Sequence, residues 1–129
     1  VGANTVANTT AIVSDNVYAT NDLIGNYSSD HRLKDNVLVI DSALNKVNNI
    51  SGYSFTWNNK IGDFREGTND YGVIAQEIED ILPDAVSINS QGNKTVNYNA
   101  IIPLLVEAVK ELSAKVDYYM QADTEGDKE

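Results

Sequence analysis

The chain has 129 residues, 42% of them hydrophobic and 22% charged, with one histidine, no cysteine and a net charge of −10. Length and composition suit one folded domain. The missing thiols and lone His31 argue against a disulfide framework or a metal centre, the acid surplus against nucleic acid as a partner, and the lack of an apolar run near the roughly 20 residues of a membrane span against insertion in a bilayer.

The start, Val1-Gly2-Ala3-Asn4, carries no basic region and no apolar signal core, and it reads as a fragment of a longer polypeptide. Residues 1–28 hold no Lys or Arg and are rich in Asn and Thr. Within them Thr10–Thr20 has β-favouring residues broken by Ser, Asp and Asn, the pattern of a short strand or stalk. All nine basic residues follow His31. The expected boundary therefore falls between 1–28, the end of something upstream, and a working domain at 29–129.

Ile40, Ala43, Leu44, Val47 and Ile50 recur at helical spacing, and Ser51-Gly52 is the expected stop. Tyr53, Phe55 and Trp57 alternate as in a half-buried strand. A polar, Gly-containing loop follows at Asn58–Thr68, then a buried strand over 71–75 and a short helix from Ala75 to Leu82 ended by Pro83. Residues 85–88 and 94–98 flank Gln91-Gly92-Asn93 as the arms of a hairpin. The last element is a long helix with Asn99 as the expected N-cap. Ile102, Leu105, Val109, Leu112, Val116 and Tyr119 follow one another at alternating steps of three and four, a heptad seam. Glu107/Lys110 and Glu111/Lys115 stand in the supportive acid-first order. Such a stripe suits packing on the chain's own sheet or an oligomer. The whole reads as a small α+β domain.

Chemistry has few places to sit. In Ser28-Ser29-Asp30-His31-Arg32-Leu33-Lys34 a serine precedes a lysine by five residues, and a Ser-Lys dyad is a known alternative to the Ser-His-Asp triad. The lysine must lose its charge to act as a base, which burial favours. Five residues suit neither a regular helix nor a strand, so a working pair needs a bend or a lysine from a neighbouring subunit. His31 as a general base, Asp30 with Arg32 as a structural pair, and the carboxylates Glu77/Glu79 and Asp80/Asp84 as a glycosidase pair or cation site are the other options; no calcium-loop or phosphate-loop pattern supports them.

The stretch Ser29-Asp30-His31-Arg32-Leu33-Lys34-Asp35-Asn36-Val37 resembles the signature of the intramolecular chaperone auto-processing domain, Ser-Asp-x-Arg-Leu-Lys-x-Asn-Ile. That family ends phage endosialidases, tailspikes, neck appendages and tail fibres, and occurs in myelin regulatory factor. Further matches follow in order: Ala43-Leu44, Tyr53 and Trp57, Gly72 to Glu77, Pro83, Tyr98, and Ile101 to Leu112, with Asn97 where the family usually has Asp.

The resemblance implies a C-terminal chaperone that helps an upstream fibre chain fold and trimerise in the host cytoplasm. It implies a self-cleaving serine endopeptidase, single-turnover and without a cofactor or metal, that cuts between Ser28 and Ser29 and leaves the mature fibre. Ser29 would be the nucleophile and Lys34 its base, supported by Asp30, Arg32, Leu33 and Asn36. The terminal helices would meet in a homotrimeric, coiled-coil-like bundle through Ile102, Leu105, Val109, Leu112, Val116 and Tyr119. A non-cleaving trimerisation module is the main alternative. A glycan-binding fibre tip built on Trp57, Tyr118 and Tyr119 is another.

Overall fold

The computed structural model describes residues 16–126, with side chains through residue 124. These fall into two units, one ending at Asp35 and one beginning at Asn36. In the first, residues 16–30 form no helix or strand and lie exposed, and a single 3₁₀ turn spans His31–Leu33. Most of the stalk expected over Thr10–Thr20 lies outside the described residues, and 16–20 are not in a strand.

The second unit is a mixed α+β domain. Its order is α1 (Ala43–Asn48), β1 (Tyr53–Thr56), β2 (Asn69–Gly72), α2 (Ala75–Ile81), β3 (Val86–Ile88), β4 (Lys94–Val96) and α3 (Ile101–Gly126). Each sheet is an antiparallel hairpin. β1 pairs with β2 from Tyr53 opposite Gly72 to Thr56 opposite Asn69, and β3 pairs with β4 from Val86 opposite Val96 to Ile88 opposite Lys94.

Local chemistry explains the elements. Trp57 donates its backbone N–H to Thr68 at 2.9 Å and accepts from Gly67 at 2.9 Å, closing the β1–β2 loop; Gly67 has a φ of 80°, a turn conformation open to glycine. The Arg65 guanidinium lies 4.7 Å from the Trp57 ring centre, and Asp70 accepts from the indole N–H at 3.1 Å. Pro83 opens a 3₁₀ turn over Pro83–Ala85 and ends α2 after Ile81. Asn97 accepts from the Asn99 N–H at 3.2 Å, so it caps the 3₁₀ turn Tyr98–Ala100 that leads into α3. This corrects the expectation that Asn99 is the cap. Pro103 stands third in α3, where its missing N–H is one of the first-turn donors without a helical partner.

Three other expectations change. The first helix is shorter than the apolar spacing suggested: it starts at Ala43 and ends before Asn49, not at Ser51. The strand expected to be buried over 71–75 is instead Asn69–Gly72; Tyr98 packs near Gly72 and Phe55, while the Tyr71 side chain is 83% exposed. The apolar stripe of α3 is not the face packed on its own chain. Leu104 and Ala108 are buried with Ala43, against Ile40, Val47, Ile50, Ile81 and Leu82, so α3 packs on α1 rather than on a sheet. The six seam residues are 44–62% exposed.

The core is small. Among the described residues, Ala43, Ile78, Ala85, Leu104 and Ala108 are the buried hydrophobics, and only Ile78 and Leu104 are large. Leu104→Ala should lower the unfolding free energy by about 2–5 kcal/mol. The check is a drop in the urea midpoint at unchanged slope; a loss under about 1 kcal/mol would place the core elsewhere.

Candidate active site

The candidate site is built by the 3₁₀ turn. Asp30 starts it: its carboxylate accepts the backbone N–H of Arg32 at 2.9 Å, and its carbonyl accepts from the Leu33 N–H at 3.0 Å. The Arg32 guanidinium folds back onto the same carboxylate, with its Nη2 2.8 Å from Oδ2 and its Nε 3.2 Å from both oxygens. Lys34 ends the turn, donating its backbone N–H to the His31 carbonyl at 3.1 Å.

That bend solves the spacing problem. A five-residue offset fails in regular structure, but here a tight turn folds residue 34 back on residue 29. Lys34 Nζ lies 2.7 Å from Ser29 Oγ, a hydrogen bond within one chain. Ser28 and Ser29 are exposed, and so is Lys34, so the burial expected of the lysine is not present in the lone chain. His31 is 93% exposed at its side chain, and its Nδ1 stands 3.8 Å from Asp30 Oδ1, at the edge of the turn. Leu33 is 70% exposed, and Asn36 adopts a φ of 53°, the left-handed region that Asn tolerates best after Gly.

The Arg32 guanidinium, through its side-chain bond and then the Arg32 backbone N–H, holds the Asp30 carboxyl below its ordinary value of 3.8, while Asp30 raises Arg32 in turn. Two of the other candidate carboxylates, Glu77 and Glu79, are engaged in structural contacts. Glu77 accepts from the Ser51 N–H at 3.1 Å and the Tyr53 hydroxyl at 2.7 Å, which pushes the Tyr53 phenol up. Glu79 pairs with Lys94 at 2.8 Å. One face of Trp57 is taken by Arg65, and Tyr118 and Tyr119 meet edge to face at 5.4 Å.

Sequence reasoning missed Glu111. Its carboxylate accepts from the backbone N–H groups of Ala43 at 3.1 Å and Leu44 at 2.6 Å, capping α1 from 67 residues away. The acid-first spacing to Lys115 concealed this role. Only the poor cap at Ser42, which has a φ of 49° and makes no side-chain cap bond, leaves a gap for it, and that is invisible without the backbone. The expected Glu107–Lys110 pair does form, at 3.4 Å.

Because the folded Asp30 carboxyl titrates below its unfolded value, the Asp30–Arg32 fork supports the turn above the ordinary carboxylate range and releases it as pH falls through the folded value. A carbon-detected NMR titration should give Asp30 a midpoint below 3.8 that moves up toward that value in Arg32→Ala, whose backbone N–H still bonds the carboxylate; an unmoved midpoint in that variant would discard the fork.

Residues 29–87 match the family model described as the chaperone of endosialidase, a peptidase family. The chain is 46% identical over 92 residues, 68% of its length, to the long tail fiber protein Gp37 of Enterobacteria phage K3, and equally to that of Enterobacteria phage T2. It is 33% identical over 91 residues, 65% of its length, to Gp37 of Salmonella phage S16. It spans only 7% of the length of the first two and 12% of the third.

Proposed function

Residues 29–87 of this chain belong to the chaperone-of-endosialidase family, and we propose that the domain assists the folding and trimerisation of a phage tail fibre chain and then releases itself by cutting between Ser28 and Ser29. The observation that carries this reading is the 2.7 Å contact between Lys34 Nζ and Ser29 Oγ across the 3₁₀ turn, inside the signature that the family model begins on.

The chemistry runs as a Ser-Lys dyad. A neutral Lys34 amine takes the Ser29 hydroxyl proton, and Ser29 Oγ attacks the carbonyl carbon of Ser28. The resulting ammonium returns the proton to the Ser29 nitrogen, the C–N bond breaks, and an ester joins the Ser28 acyl group to Ser29 Oγ. Water hydrolyses that ester, leaving a carboxylate on Ser28 and a free amine on Ser29. Nucleophile and target are neighbours in one chain, so positioning supplies part of the barrier reduction. The base is intrachain, in keeping with the bend.

Assembly supplies what the lone chain lacks. An exposed ammonium is a poor base, and desolvation is the means of discharging it. The α3 seam, 44–62% exposed from Ile102 to Tyr119, is the surface through which three copies would join. Covering Lys34 only in the completed trimer makes cleavage a checkpoint on assembly.

Ser29→Ala and Lys34→Ala should each leave the chain uncut on a denaturing gel yet trimeric by light scattering. A cut product from either variant removes the dyad, and an uncut unmodified chain favours the passive trimerisation module. Leu112→Asp, which puts a charge in the seam, should give monomers and at least tenfold slower cutting; a trimer that survives it would move the interface off α3.

A further inference from the structure

The Glu111 carboxylate lies one residue before the seam residue Leu112, about 100° round the helix, and is spent on α1 rather than on Lys115. Ala43, whose N–H it accepts, is fully buried against Leu104 and Ala108, two turns and one turn earlier on α3. α1 has six residues, too few to persist alone in water. Its first turn depends on α3 for both packing and hydrogen bonds, since Ser42 does not cap it.

We propose that Glu111 is a positioning residue for self-cleavage: it ties α1 to the helix that carries the assembly seam and so fixes the length of the tether to the Ser29–Lys34 turn. This rests on the reading that these two residues cut the chain. Between Lys34 and α1 lie residues 35–42, an eight-residue connection. When α1 is anchored, the dyad is held to α3 through that short tether. When α1 melts, its six residues join the connection. A longer tether lowers the effective concentration of the dyad at whatever the assembled bundle presents to it. By loop-length scaling the loss is about twofold. α3 carries the assembly seam, Glu111 ties the start of α1 to α3, and α1 sets the length of chain that leads to the catalytic turn.

The test uses the full chain. Cell-free translation followed over time on a denaturing gel gives the cutting rate, native mass spectrometry gives the oligomeric state, and hydrogen exchange on the uncut Ser29→Ala background reports the Ala43 and Leu44 amides. Glu111→Ala should remain trimeric, exchange those two amides faster and cut at least about twofold more slowly. Glu111→Gln keeps the size and one acceptor oxygen and should fall between; it is judged by the same readings if the alanine variant does not fold. Ile78→Val, which loosens the core at α2 without touching α1, should cut at the unmodified rate, whereas a merely structural role for Glu111 would slow both. Unmodified cutting by a trimeric Glu111→Ala chain with faster exchange overturns the inference and leaves the dyad standing. Loss of the trimer in both Glu111 variants overturns it too, making Glu111 an assembly residue. No cutting by the unmodified chain sinks the dyad reading itself, and this inference with it.

Discussion

The structure turns on a shortage of buried apolar surface. Burying a large aliphatic side chain contributes about 1.5–3 kcal/mol, and here two large hydrophobics are fully buried, Ile78 and Leu104, the rest of the core being alanine. Domains of this size are only marginally stable even with ordinary cores. Meanwhile Ile102, Val109, Leu112 and Val116 face water along one helix. A 26-residue helix fastened only through its first turns, with an apolar row beyond, has the geometry of half an interface. The fold is therefore economical inside the chain and extravagant outside it, and on the proposed reading association would cover the exposed row.

The same shortage bears on the dyad. A lysine is a strongly hydrated point charge that yields its proton readily only when water is withdrawn. The 3₁₀ turn achieves proximity without desolvation: Asp30 and Arg32 lock its backbone, and the amine reaches the hydroxyl. Geometry and electrostatics are thus separable here, one supplied by six residues of local sequence and the other left to the surroundings. On the proposed reading this separation is useful, because a chain that was fully competent alone would cut before its fibre had assembled.

Much of this was legible from residue order, and the exceptions share a cause. Tyr53 and Trp57, the 85–98 hairpin and the Pro83 stop follow from local propensity, and the structure has them. The signature beginning at Ser29 pointed to one segment, and the hydroxyl and amine meet there. What failed was anything decided by distant residues. The apolar run 71–75 looks like buried strand because hydrophobicity alone cannot say whether a covering layer exists. The α1 boundaries moved because tertiary contacts with Leu104 and Glu111, more than 60 residues away, decide which turns survive. Glu111 itself looked like half of a surface pair with Lys115, since i,i+4 spacing is visible in sequence and a partner on another helix is not.

A catalyst that acts once on its own backbone escapes constraints that shape other enzymes. It needs no cavity to collect substrate, since the scissile carbonyl is attached to the nucleophile, and no route for product release between turnovers. The exposed setting of Ser28 and Ser29 is therefore no argument against catalysis. Nor does such a domain need a deep core, if its task ends with the cut that frees it. What it cannot do without is timing, and timing requires a link between the assembly surface and the reacting turn. In this chain the shortest link from the seam to the start of α1 is the pair of Glu111 hydrogen bonds, and eight residues of connection join α1 to Lys34. On the proposed self-cleaving reading, a domain with so small a core has little else from which to build that link, and a single carboxylate bridging two helices carries more meaning than it would in a larger, better-buried protein.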